Sequence, residues 1–304
     1  MDRALVKAAA CEIVSETGQP LSRQSLGDVT KRVRGAVGRQ ISRSTVKRIP
    51  DSDAVKPWRY KYWIFPKAPD FAEKAEPILE LYEGFWDGKP VGSKDYVLSA
   101  DERTGIRARI RCHPSLPPAP GKAARVEHEY KRGGALQYPA ARDVRRGYVA
   151  GRCEPRNGIR PFNRPIRQVV ATEPHSSADN IFLITDNGSS HRGETSKKRM
   201  REIDPRIILP HTPVHASWLN QVEIYFSIIQ RKVLTPNDFE SLDAVRQRLA
   251  LYEDLSNKNP RPFSWKFDRK KLSAFLKKLK LPDNAGKSNT IETTVKITAK
   301  KGIW

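Results

Sequence analysis

Cysteine is scarce in this chain. Its 304 residues hold three, Cys11, Cys112 and Cys153, odd in number and far apart. That spacing excludes a disulfide framework and a C-x-x-C metal site, and it suits a reducing cytoplasm. Long apolar runs are missing as well. The longest obvious one, Ile181–Ile184, is strand-sized, well short of the ~18 apolar residues of a membrane span, so no membrane partner is expected. The opening "MDRALVKAAACEIVSETG" carries acidic residues and no sustained apolar core, which argues against a signal peptide. No internal repeat is visible. Acidic residues are the third shortage: Asp+Glu 34 against Lys+Arg 56, a formal net charge of +22. Such an excess points to a polyanionic partner, nucleic acid ahead of an anionic membrane.

The pattern of the chain divides it into four parts. Residues 1–50 read as a small all-α domain. Ala4–Val14 gives a first helix. "LSRQSLGDVTKRVR" gives a second with Ser22 as N-cap, and "ISRSTVKRI" a third, capped by Ser42 or Ser44 and stopped by Pro50. This is the outline of a helix-turn-helix, in which Arg43, Ser44, Thr45, Lys47 and Arg48 lie on or near the helix that enters a major groove. Residues 51–94 read as a connector. Within it "VKPWRYKYWIFPKAPDF" mixes aromatic and basic residues, Arg59 and Lys61 among them, suited to backbone and groove contacts. A helix around Ala72–Leu81 closes it. Residues 95–280 read as three strands in a meander, then helix, strand, helix, strand, helix and two further helices, a mixed α/β sheet flanked by helices. "RPFNRPIRQVVATEP" is a short helix interrupted by Pro165, and residues 110–130 form a loop. The tail, 281–304, is polar, basic and mobile in expectation.

Within this layout a few acids stand in informative places. Asp101 falls inside the first strand of the meander. Asp186 ends the buried strand "IFLIT", where site residues collect in α/β sheets. In "HASWLNQVEIYFSIIQRKVL" the residues Leu219, Val222, Phe226, Ile229 and Val233 form one apolar stripe of a helix over 217–234, and Glu223 borders it. A carboxylate half inside a core is costly unless something pairs with it. Glu223 facing Asp101 and Asp186 across divalent cations would account for it. Hard oxygen ligands favour Mg²⁺ or Mn²⁺, and a pair of such ions suits phosphoryl transfer. Plainer readings exist for each acid. Glu223 would be salt-bridged or solvated, Asp186 would open a turn, and Asp101 would pair with Arg103 or Arg107. Asp143 is a rival acid, read as ending a strand before the "RRG" turn, and strand alternation turns Glu102 away from Asp101.

"LSADERTGIRA", "LITDNGSSH" and "HTPVHASWLNQVEIYFSIIQRKVL" resemble the three signature blocks of the DDE transposases, most closely the insertion sequence 630 family of the mariner superfamily. "ISRSTVKRI" with "KPWRYKYWI", and "RPFSWKFDRKKLSAFLKKL", resemble its helix-turn-helix junction and its C-terminal segment. The resemblance implies a ribonuclease H-like catalytic domain, with Asp101, Asp186 and Glu223 as catalytic, metal-binding carboxylates for Mg²⁺ or Mn²⁺, two ions in all. It places Asn187, His191, Trp218 and Asn220 in the same blocks as residues that shape the pocket. It implies double-stranded DNA as partner, both inverted-repeat ends and target, a homodimer in the synaptic complex, and a bacterial, nucleoid-associated location. Only one helix-turn-helix fits before residue 50, where the family commonly carries two. An active transposase, a catalytically impaired DNA-binding descendant and a ribonuclease H-like nuclease therefore stand as alternatives.

Overall fold

The computed structural model describes residues 2–12, 20–52, 55–57, 59, 66, 69–186, 188 and 193–279. They fall into two compact units that meet in sequence between residues 65 and 66.

The first unit is built on three helices, α1 (Asp2–Cys11), α2 (Leu26–Val37) and α3 (Arg43–Ser52). Val6, Ala9, Val29, Val33, Val46 and Ile49 form its small core. Ser25, not Ser22, caps α2. Its hydroxyl accepts the Asp28 N–H at 3.2 Å while the Asp28 carboxylate accepts the Ser25 N–H at 2.8 Å, so two orphan donors of the first turn are satisfied reciprocally. The helix ends at Gly38, whose φ of 69° is one a side chain would strain. The Arg34 guanidinium then donates to the Ile41 carbonyl at 2.9 and 2.8 Å and closes the turn into α3. Ser42 caps α3 by accepting the Thr45 N–H at 3.1 Å. Pro50 does not stop this helix. It is buried inside the last turns, where its missing N–H forgoes a single helical bond.

The second unit opens with α4 (Phe71–Glu83) and a small hairpin, β1 (Phe85–Trp86) with β2 (Lys89–Pro90). These residues lie in the expected connector, yet they belong to the folded unit. Ile78 and Leu81 of α4 pack on Val97, Phe182 and Ile184 of the main sheet, and Phe71, Ala75 and Leu79 pack on Leu272 and Phe275. The apolar spacing of α4 demands such a partner face. The main sheet holds β3 (Asp95–Ile110), β4 (Lys131–Asp143), β5 (Val149–Gly151), β6 (Asn180–Ile184) and β7 (Ile207–Ile208), in the spatial order β5-β4-β3-β6-β7. The first three are antiparallel neighbours, and β6 and β7 run parallel to β3. This is the ribonuclease H-like mixed sheet: a meander, then two parallel strands added beyond its first member.

Helices cover both faces. On one, α5 (Ile159–Val170) and α6 (Gly193–Ile203) bury Phe162, Ile166, Val169 and Met200 against Leu98, Ala100, Ile181 and Leu183. On the other, α7 (Val222–Lys232) and α8 (Leu242–Lys258) bury Val222, Phe226, Ile229, Val245 and Leu249 against Ile106, Leu136 and Tyr138. The last helix described, α9 (Arg269–Leu279), pairs with α4. Pro165 does not interrupt α5; it is buried within a continuous helix. The loop 111–130 carries only isolated bridges, Leu116 with Arg125 and Ala119 with Lys122. Gly147, in the β4–β5 turn, has a φ of 84°, and a Cβ there would meet the Arg261 backbone at 2.4 Å. Among the described residues no helix is long and apolar enough to cross a membrane. The tail 281–304 lies outside the described residues.

Candidate active site

Asp101 lies on β3, Asp186 just past the end of β6 and Glu223 at the start of α7, near enough for their charges to act on one another. β3 and β6 pair in parallel up to Ser99 opposite Ile184. There β6 ends, and Asp186 follows Ile184 by two residues, as Asp101 follows Ser99 on β3. Asp101 is 7% exposed. Asp186 is half-buried, and its carboxylate accepts the Gly188 N–H at 2.9 Å. The turn role foreseen for it is therefore real, and it also holds the side chain at the strand end. Glu223, half-buried, lies in the first turn of α7, where the helix dipole favours an anion.

What sets α7 against β3 is Asn220, which is fully buried. Its amide donates to the Ala100 carbonyl at 2.9 Å and to the Asp101 carboxylate at 3.4 Å, and its oxygen accepts the Ser99 hydroxyl. Ser99 in turn accepts the Val222 N–H at 2.7 Å, satisfying a donor at the helix start. Asn220 itself is extended, with ψ 111°. This is why the helix expected over 217–234 begins only at Val222, after a 3₁₀ turn at Ser217–Leu219. The predicted stripe is nonetheless buried along its whole length, from Leu219 at 0% exposure to Val233 at 6%.

The carboxylates sense one another. Burial pushes the Asp101 pKa up to about 8, and the charges of Asp186 and Glu223 add to the rise. Burial also raises Glu223; Arg103 pulls it back down, and Asp186 raises it further. Among the described residues no three His, Cys, Asp or Glu side chains stand close enough together to grip one ion. The donor set nevertheless fits a hard divalent cation. All three groups are carboxylates, and a cation beside Asp101 would reverse the cost of its charge.

The other anticipated residues separate. Trp218 does not line this site; it packs edge-on against Phe267, with centroids 5.0 Å apart, in the α4–α9 cluster. Asn187, His191 and Lys61 lie outside the described residues. On α3, Arg43, Ser44, Lys47 and Arg48 are exposed and Thr45 is half-buried. The Ser42 hydroxyl bonds those of Ser44 at 2.9 Å and Thr45 at 2.8 Å, so these two belong to the cap. Arg59 is exposed. Asp143 is structural: it is buried on His175 at 3.1 Å and accepts the Arg145 and Arg146 N–H groups at 2.9 and 2.8 Å. Ser99 escaped the sequence reading, and Arg103 entered it only as an alternative partner of Asp101. Both share the face of Asp101 by strand alternation, and that period of two was the available signal.

Residues 96–246 match the family described as DDE superfamily endonuclease, so this span carries the pattern of such a domain. No curated protein matches the chain. Solved structures similar to it include the Mos1 mariner paired end complex with Mn, 12% identical, covering 80% of this chain and 76% of that one with a TM-score of 0.49. The Mos1 Strand Transfer Complex is 11% identical, covering 84% and 73% with a TM-score of 0.47.

Proposed function

We propose that this chain is a DDE transposase of the insertion sequence 630 branch of the mariner superfamily. The reading rests on one observation above all. Asp101, Asp186 and Glu223 come from three separate elements, and the parallel pairing of β3 with β6 and the Asn220 bond to Asp101 support a shared site near the end of β6. The helical unit, residues 1–50, would bind the terminal inverted repeats through the exposed Arg43, Lys47 and Arg48. The sheet unit would cut, and two copies of the chain would hold two ends. Residues 281–304 would add non-specific backbone contacts.

The proposed chemistry is phosphoryl transfer. Water attacks a phosphodiester at the element end and displaces the 3′-oxygen as a free hydroxyl, leaving a 5′-phosphate; that hydroxyl then attacks a target phosphodiester, forms a new P–O bond and displaces the target's own 3′-hydroxyl. Divalent cations bound by the three carboxylates, Mg²⁺ or Mn²⁺ and two in number, would supply activation of the attacking oxygen and stabilisation of the leaving one. Within the protein, Asn220 fixes Asp101, the turn at Gly188 orients Asp186, and the first turn of α7 presents Glu223. The test uses DNA carrying inverted-repeat ends, with Mg²⁺. Glu223→Gln keeps size and removes charge, so cleavage should fall by at least about 10²-fold while end binding in metal-free buffer stays unchanged. Near-normal cleavage by this variant would falsify the assignment.

A further inference from the structure

A cation stands on the same strand face as Asp101. Arg103 follows Asp101 by two residues on β3 and therefore projects from the same face. It is half-buried. Its Nη2 donates to the Gln230 side chain at 2.9 Å, while its Nε is buried without a hydrogen-bond partner. Gln230 lies seven residues after Glu223 on α7, two turns along the same side of that helix. The guanidinium is thus held between β3 and the side of α7 that carries Glu223. A group with five donors, of which one meets a side chain among the described residues, is an unusual choice for packing alone.

We propose that Arg103 is the resident counter-charge of the carboxylate site. In the ion-free protein the guanidinium, pinned by Gln230, offsets part of the negative charge of Asp101, Asp186 and Glu223. A divalent cation then binds against its repulsion. Arg103 acts through the carboxylates and is a positioning residue rather than a catalytic one. The inference rests on the metal-site reading above and deepens it. Three carboxylates brought together without a positive charge repel one another; a fixed positive charge makes the ion-free arrangement tolerable and lowers the affinity for the ion that replaces it.

The sign of this effect separates it from a purely structural role. Damage to the site weakens cation binding, whereas loss of a counter-charge strengthens it. The measurement is Mn²⁺ binding to the full-length, DNA-free protein, by the loss of the free-ion electron paramagnetic resonance signal. Glu223→Gln should weaken binding. If it does not, the metal-site reading itself fails, whatever Arg103 does. Given that result, Arg103→Gln should tighten Mn²⁺ binding by roughly three- to tenfold, as expected for removal of one like charge from a partly buried site. Arg103→Lys, which keeps the charge, should stay within about twofold of the parent. Arg103→Met removes the same charge with an apolar side chain and takes the place of Arg103→Gln if that variant melts early. Unchanged or weaker Mn²⁺ binding by a folded, charge-removed variant overturns the proposal and leaves Arg103 as a strut between β3 and α7.

Discussion

The two units of this protein handle charge in opposite ways. On α3 the cations Arg43, Lys47 and Arg48 are exposed around a small apolar core of Val46 and Ile49. Solvent bears their cost, and any partner can reach them. In the sheet unit the informative charges are anions, and they are turned inward. Asp101 is 7% exposed, and its neighbours raise its pKa instead of relieving it. An exposed charge needs no particular tertiary structure. A buried one persists only where the structure holds it, so it says more about what the fold is for.

The contrast can be broken most forcefully with salt. If the exposed cations grip DNA phosphates, each contact contributes about −0.9 to the slope of log K against log salt, and a slope steeper than about −4 is expected. Raising salt from 50 to about 500 mM then lowers the binding constant by roughly 10⁴-fold. Cleavage measured at full DNA occupancy should barely respond, because buried charges are little screened. Titrations at several salt concentrations, each followed by a single-turnover cleavage assay, check both halves.

Asn220→Ala tests the inward-facing half. It removes bonds to Ala100, Asp101 and Ser99 at a fully buried position. Unfolding should become easier by about 2–3 kcal/mol, seen in urea melts. Cleavage should fall further than that loss explains when assayed at a temperature where the variant is folded. End binding should be unaffected.

Arg43→Ala tests the outward-facing half. The loss should be about 1–3 kcal/mol on the cognate end and little on scrambled duplex if this side chain reads a base edge. Equal weakening of both DNAs would reduce α3 to a phosphate clamp. Paired titrations at one fixed salt concentration decide.

The smallest effect expected is a pH dependence, and it sets two buried aspartates against each other. Asp101 is raised, by burial first, to about 8. Its contribution to stability is fully present below the unfolded carboxyl value of about 4 and is lost as pH rises through about 8. Asp143 is lowered. Burial pushes it up, but the His175 ring, the Arg146 N–H and the Arg146 charge outweigh that. Its contribution is present above the unfolded value and is lost as pH falls through the folded one. Asp101→Asn should therefore raise the melting temperature of the ion-free protein by a few degrees at pH 8 and hardly at all at pH 4.5. Asp143→Asn should lower it at neutral pH. Scans in chelator at the two pH values would expose an error in either sign.

How much of this was legible in the chain varies residue by residue. The stripe from Leu219 to Val233 was, because helical burial has a period that a linear sequence displays. The meander and the strand before Asp186 were legible for the same reason. Helix boundaries were not. Ser22 and Ser25 are both acceptable caps in composition, and only the reciprocal bond with Asp28 selects Ser25. Pro50 and Pro165 look like breakers, yet both sit inside helices at buried positions, where packing outweighs one lost hydrogen bond. The helix read around Ala72–Leu81 in the stretch 51–94 is α4, but an amphipathic helix does not say in advance which surface it will cover.

Sequence by itself determined the charge excess, the order of strands and helices, the apolar stripe and the residue types able to hold a hard cation, because these depend on composition and local period. Tertiary structure alone decided that β3 and β6 pair in parallel ahead of Asp101 and Asp186, that Asn220 breaks the start of α7 to bond β3, that Trp218 packs with Phe267, and that Arg103 reaches Gln230. Each of these joins residues distant along the chain. Strand register and helix docking fix such distances, and both follow from how the buried faces fit together.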